Sequence, residues 1–349
     1  MASQPLVSIV TPVYNEAAYL TECIESILAQ TYQNWVYSIV DNRSTDGSLE
    51  VALRYAAKDH RIKVHQNREF LGVIQNHNAA LQHIPATSKY CKIVFGDDWI
   101  FPECLERMVA LAEAHPSVGI VGAYALEGER VALSGLPYTS SVVSGHEICR
   151  RHFLDGLYVF GSANAVLYRA DLIRNRVPFY NESNIHADTE VCIALLKTCD
   201  FGFVHQVLTF TRVRSGSLTT LSDDLNTSMP GLLQLVCTHG SDYLTPEEYK
   251  ARLARHVSGY YRSLGKSLML GRNKKFWNYH IGELNKAGVG FSRMRVIKGA
   301  LEAIGYAALK PKGAMNRLLH DRRRLRVKDR IKDRGATTSV VTTKIVTEE

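Results

Sequence analysis

Short β-rich runs alternating with helical stretches fill the sequence up to Tyr124, and no other feature constrains the fold as strongly. Val7–Thr11 is an apolar run ended by Pro12, and Leu20, Cys23, Ile24, Ile27 and Leu28 follow at helical spacing. Val36–Asp41 predicts a second strand, and Leu49–Ala57 a helix opened by Asp46-Gly47-Ser48. Ile62–His65 and Lys92–Phe95 read as further strands, with a helical stretch at Gly72–His83 between them. Gly96-Asp97-Asp98 closes the fourth strand, Cys104–Ala114 is a helix entered through Pro102-Glu103, and Val118–Tyr124 is another strand. Strands alternating with helices of about ten residues specify an α/β domain built on a doubly wound, mostly parallel sheet. Such sheets bind ligands at the carboxyl ends of their strands. Functional residues are therefore expected at 12–16, 41–46 and 96–99.

The second half is less regular. A Gly/Ser/Tyr-rich stretch, Ser134–Gly145, leads to Gly156–Tyr168 and then to a polar segment at Asn181–Glu190. A helix at Glu190–Lys197 and a strand at Gly202–Leu208 follow, and from about Asp223 the pattern is helical to Lys332. The expected organisation is an α/β domain over residues 1–220, a helical basic region over 221–334 and a poorly ordered tail over 335–349.

Charge follows the same division. The chain carries +8, yet Phe291–Arg334 alone holds 14 Lys/Arg against 4 Asp/Glu, which leaves the remainder at −2. A nucleic-acid reader needs its positive charge on the binding face, so the near-neutral body argues against a nucleic-acid partner. The seven Cys include no C-x-x-C pair, which excludes a zinc ribbon and favours reduced thiols in a cytoplasmic setting. No uncharged apolar run reaches the ~18 residues of a membrane-spanning helix. Met1–Gln4 offers no basic n-region, so no secretory signal is expected.

No G-x-G-x-x-G follows the first strand and no G-x-x-x-x-G-K-[ST] occurs, so neither usual phosphate cradle is present. A nucleotide diphosphate would then need a divalent metal, for which Asp97 and Asp98 are the candidate ligands. Two adjacent carboxylates after an apolar strand repel each other unless a cation or hydrogen-bond donors satisfy them. The alternative for the pair is a turn or helix cap ahead of Cys104–Ala114.

Three longer motifs go further. Val7-Ser-Ile-Val-Thr-Pro-Val-Tyr-Asn-Glu16, Ile24-Glu-Ser-Ile-Leu-Ala-Gln-Thr-Tyr32 and Ile39-Val-Asp-Asn-Arg-Ser-Thr-Asp-Gly47 resemble the opening of an inverting family 2 glycosyltransferase of the bacterial polysaccharide type. Gly72 with Asn78, Phe95-Gly-Asp-Asp98, Asp188-Thr-Glu190 and Arg212-Val-Arg214 continue the resemblance over roughly residues 6–220. It implies the GT-A fold, a Rossmann-like doubly wound sheet, with a helical C-terminal extension. It assigns Thr11, Pro12, Tyr14 and Glu16 to the nucleotide pocket, where Tyr14 can lie against a base. Asp41 would accept from a base ring N–H, which favours uracil; the alternative is an Asx-turn over Asp41-Asn-Arg-Ser. Asp46 is held structural, capping the next helix.

The family's metal motif is Asp-x-Asp, often extended by another Asp, and here Phe95 stands where the first Asp is common. Asp98 is thus the metal ligand, for Mg²⁺ or Mn²⁺ arriving with the donor, and Asp97 a ribose or sugar contact. His77 stands where many relatives have Arg, which removes a charged diphosphate contact. Asp188 matches the family's general base, with an N-cap role as the alternative; Glu190 and then His186 are the other candidates for the base. Arg212 and Arg214, on one face of a strand, would meet the diphosphate, with a plain surface pair as the alternative.

The expectation is a metal-dependent glycosyltransferase using a UDP-sugar and a saccharide or lipid-linked saccharide acceptor. It would act in the cytoplasm, peripherally at the inner face of the plasma membrane through residues 291–334. The competing reading is a catalytically silent nucleotide-binding scaffold.

Overall fold

The computed structural model describes residues 4–214 and 225–309, grouped into two compact units, 1–220 and 221–349. In the first unit, β1 (Val7–Val13), β2 (Trp35–Asp41), β3 (Ile62–Gln66) and β4 (Tyr90–Ile93) pair in parallel, in the spatial order β3-β2-β1-β4. Helices α1 (Leu20–Leu28), α2 (Ser48–Ala56) and α3 (Val73–Leu81) connect them. Beyond β5 (Trp99–Ile100) and α4 (Cys104–Ala114) comes β6 (Val118–Glu127), which pairs in parallel with a long β10 (Asp200–Thr211). The expected α/β class with a mostly parallel sheet is what the structure has.

Several local expectations needed correction. β1 does not stop at Pro12 but runs through it to Val13. Its ladder with β4 ends at Val10, so the N–H that proline lacks faces a side where no bond is required. A short strand β9 (Val166–Arg169) sits between β4 and β6 and is antiparallel to both. The small strands β7 (Arg130–Ala132) and β8 (Val142–Val143) pair with β6 and β10. An unpredicted helix, α5 (Gly145–Asp155), fills the stretch before Gly156. Ser144 accepts from the Glu147 N–H at its start, and Gly156 takes the left-handed conformation at its end. Helices α6 (Ala170–Arg174) and α7 (Ala187–Leu195) complete the unit. Its core joins Ile9, Tyr37 and Ile39 of the sheet to Ile24 and Ile27 of α1 and to Leu105 and Met108 of α4.

The second unit contains α8 (Ser228–Tyr243), α9 (Pro246–Met269), α10 (Lys274–Lys286) and α11 (Arg293–Leu309). Leu233, Tyr260, Leu264, Phe276, Leu284 and Val296 make its core. Helices α9 and α11 approach closely because both contact points are glycine. A Cβ at Gly265 would lie 2.2 Å from the Ala300 nitrogen, and one at Gly299 2.4 Å from the Tyr261 carbonyl oxygen. The basic residues expected over 310–334, and the tail over 335–349, fall outside the described residues. All seven cysteines are free thiols. No helix among the described residues is long and apolar enough to cross a membrane.

Candidate active site

Loops at the ends of β1 and β2 are laced together. Asn15 donates its backbone N–H to Ser44 Oγ, and Glu16 its own to Ser48 Oγ, at 2.8 Å. Asp46 accepts from the Ala17 N–H and from Ser48, while Gly47 takes the N-cap position of α2, so Asp46 is structural by bracing the two loops and not by capping the helix. This lacing fixes Glu16 beside Gly96, close enough that a Cβ at 96 would touch Glu16 Cγ at 3.2 Å.

Three carboxylates therefore share one spot. Asp97 and Asp98 follow β4, and Glu16 arrives from the β1 loop. Burial and the neighbouring Asp97 push the Glu16 carboxyl up to about 7, and the same two causes push Asp98 up to about 8. Arg214 answers this charge, bonding Asp97 Oδ2 through Nε and Glu16 Oε1 through Nη2, each at 2.5 Å. Asp98 Oδ1 accepts the Arg212 backbone N–H at 2.9 Å, and Arg212 Nε donates to the Asp97 carbonyl at 3.0 Å. The Arg212 guanidinium also pairs with Glu22 and lies over the Tyr19 ring, 4.7 Å from its centroid.

Both arginines thus lie past the end of β10, not on one face of a strand, and both reach back to the acidic motif. They form part of a network, not a plain surface pair. Glu22 and Tyr19 were missed in the sequence because neither belongs to a motif. Only the fold brings α1 beside the end of β10.

The acidic spot fits a hard cation in one respect: Glu16 Oε2 is buried without a hydrogen-bond partner, an oxygen donor with spare capacity. It does not form a closed cage, since no group of three or more His, Cys, Asp or Glu among the described residues is arranged to hold a metal. Ligands from outside the protein would have to complete the shell.

The remaining nucleotide candidates divide. Tyr14 is half-buried and meets the Phe70 ring edge-on at 4.8 Å, so Phe70, 42% exposed, is a second aromatic at the strand ends that sequence reading passed over. Thr11 turns its hydroxyl into the core, where it accepts from the Tyr37 hydroxyl at 2.9 Å. Thr11 and the buried Pro12 therefore have only backbone atoms to offer a ligand. Asp41 is buried and accepts from Gln66 Nε2 and from the Ser44 N–H. It is holding a turn, the alternative weighed for it in the sequence. His77 stacks on Phe95 at 5.0 Å, and burial lowers its pKa to about 4. It is a neutral ring in an aromatic layer.

Asp188 lies in the first turn of α7, one residue after Ala187, while His186 takes the N-cap position. The capping alternative for Asp188 thus falls to its neighbour. Asp188 accepts the Ala163 backbone N–H, and burial outweighs that bond, raising its carboxyl to about 6. Ala163 is presented by a turn through Gly161, whose φ of +65° favours glycine. Tyr158 ties the turn to α7, donating to the Gly161 carbonyl and meeting Thr189 Oγ1. Asn164 links the turn to the acidic motif's side of the sheet, its Nδ2 donating to the Phe210 carbonyl at 3.0 Å, two residues before Arg212. Glu190 is otherwise engaged: it accepts from Asn184 Nδ2 at 2.6 Å and from Asn181, bracing the loop ahead of α7. That leaves it a poor candidate for a base or a diphosphate contact.

Lys92 is the residue that sequence reading overlooked, although a lysine inside an apolar strand is a readable anomaly. It is fully buried, and its ammonium donates to the carbonyls of Asn164 and Val166, locking the turn that feeds Asp188. Lys92→Met would leave both carbonyls unsatisfied. Its expected cost is about 1–3 kcal/mol, read from urea unfolding. An unchanged midpoint would remove Lys92 from this role.

Residues 8–175 match the family model described as Glycosyl transferase family 2. The chain is 37% identical over 157 residues to "Putative glycosyltransferase EpsE" of Bacillus subtilis (strain 168), covering 43% of this chain and 55% of that protein. It thus spans little more than half the length of that relative. Over 230 residues it is 28% identical to "Glycosyltransferase GlyG" of Streptococcus pneumoniae serotype 4, covering 63% of this chain and 75% of that one. Among solved structures, S. aureus TarS 1-349 in complex with UDP-GlcNAc superposes with a TM-score of 0.61 at 18% identity, covering 91% of each chain. The mannosyltransferase PcManGT from Pyrobaculum calidifontis, in complex with GDP-Man and Mn²⁺, gives 0.52 at 17%, covering 91% of this chain and 84% of that one. At such identities the structural likeness speaks for the fold alone.

Proposed function

We propose, from the match of residues 8–175 to the glycosyl transferase family 2 model and the likeness in fold to TarS, that this chain is a family 2 glycosyltransferase that moves a sugar from a UDP-sugar donor to a saccharide or lipid-linked saccharide with inversion. The observation that carries the reading is the meeting of Glu16, Asp97 and Asp98 with Arg212 and Arg214 at the strand ends. Tyr14 and Phe70 would flank the base, and Asp41, exchanging its bond from Gln66, would accept from a uracil N–H. The diphosphate would draw Arg214 away from Glu16 and Asp97, trading carboxylate partners for phosphate ones. Asp97, so released, is free to accept from a ribose or sugar hydroxyl.

Mg²⁺ or Mn²⁺ would be held by Asp98, with Glu16 at hand, and its chemistry would be to offset the charge of the departing diphosphate. Asp188 serves as the general base. Its burial raises the affinity for the acceptor's proton, while the Ala163 N–H keeps the ionised form accessible near neutral pH. The lipid-linked acceptor and a role in polysaccharide assembly belong to the same proposal.

A panel of UDP- and GDP-sugars is expected to single out a UDP-sugar by thermal stabilisation with Mn²⁺ present, and EDTA to abolish turnover of that sugar. Turnover unchanged by EDTA would remove the metal from the proposal. Binding of the UDP-sugar without turnover on any saccharide would favour the scaffold reading.

A further inference from the structure

Helix α11 shows two unlike sides. Val296 and Ala300 are buried, and Gly299 lies against α9. Away from that contact, Met294 is 80% exposed, Ile297 52%, Leu301 63% and Ile304 48%. Their spacing of three and four residues puts all four on one face. Scattered apolar residues are normal on a surface, but four large ones in a row along one helix mark an interaction face. On a helical wheel the exposed Arg293 and Lys298 fall on either side of this stripe. Lys298 also belongs to a cleft of about 550 Å³ between α9 and α11, lined by Leu253, Val257 and Tyr261, by Lys250 and Arg295 and by the Arg262–Glu302 pair.

We propose that this face of α11 docks on an anionic lipid bilayer. Met294, Ile297, Leu301 and Ile304 would enter the boundary between headgroups and acyl chains, and the flanking cations would meet lipid phosphates. Charge selects this occupant over the others. A second copy would bring the +10 of residues 291–334 against an equal +10. The sequence that follows, residues 310–334, holds 11 Lys/Arg against 3 Asp/Glu, so it is repelled by Lys298 and Arg295 and attracted by an anionic surface. The inference does not rest on glycosyl transfer, because its readout is binding to vesicles.

Co-sedimentation of the full chain with phosphatidylcholine vesicles containing about 30% phosphatidylglycerol tests it directly. The chain is expected to bind these vesicles, to leave pure phosphatidylcholine vesicles, and to be released by salt. Ile297→Gln/Leu301→Gln should weaken binding by about tenfold or more, since two apolar anchors are lost. Lys298→Gln should weaken it about fivefold. Met294→Gln/Ile304→Gln, which shares no residue with the first variant, carries the same expectation should the first melt early. Three results would overturn the proposal. These are binding by both double variants as tight as the parent's, no binding by the parent at low salt, and a dimer that the same substitutions split in the absence of lipid.

Discussion

Asp98→Asn is expected to cut glycosyl transfer by ~10²–10³-fold, the usual scale for losing one preorganised electrostatic contact at a reacting centre. The substitution is chosen to remove the ionisable group and little else. Asn retains the oxygen that accepts the Arg212 N–H, so the link between the acidic motif and the end of β10 survives. The carboxyl is already pushed up to about 8 by burial and by Asp97, so near pH 7 the neutral amide resembles the protonated group it replaces. Melting at pH 7 should therefore match the parent's. Turnover and Mn²⁺-dependent stabilisation by the UDP-sugar should fall together. Retention of most metal-dependent activity would transfer the ligand role to Glu16 or Asp97.

Asp188→Asn should slow turnover by about 10²–10⁴-fold and leave donor affinity where it was, because a general base touches the acceptor and not the nucleotide. The parent's acid limb gives a second reading. Burial places the Asp188 carboxyl at about 6, and only the ionised form can take a proton. With donor and Mn²⁺ saturating, so that the metal holds Asp98 ionised, activity should rise with pH through that value and level off above it. Glu190→Gln is expected to act differently, weakening the Asn181 and Asn184 bonds and lowering stability while the acid limb stays in place. An active Asp188→Asn beside a dead Glu190→Gln would reverse the two roles.

The parallel half of the sheet was legible because each strand and helix there announces itself locally. Leu20, Cys23, Ile24 and Ile27 are spaced as an amphipathic helix, and all four are buried. Helix α5 was equally legible in principle. Ile148, Cys149, His152 and Phe153 form its buried side, but charged and polar residues around them dilute the pattern. Strand β9 could not be read, since four residues acquire strand identity only from the partners on both sides.

The site divides in the same way. Asp97, Asp98 and Asp188 lie in motifs, and motifs survive as strings. The pairing of Arg214 with Glu16 joins residues far apart in the chain, and nothing near either one foretells it. Thr11 shows the limit from the other side: its place in the motif is clear, but strand alternation sends its hydroxyl into the core.

Phe95 and His77 constrain each other's replacement, because their rings stack. A carboxylate at position 95, introduced alone, would lose the stack on His77 and add a negative charge two residues before Asp97, close to the acidic spot. An arginine at position 77, introduced alone, can carry its charge outward along its own stem. An arginine at position 77 would therefore favour a carboxylate at position 95, whereas the neutral ring now there offers it no charge partner. The two sites, one on a helix and one just past a strand, thus answer to each other across the fold.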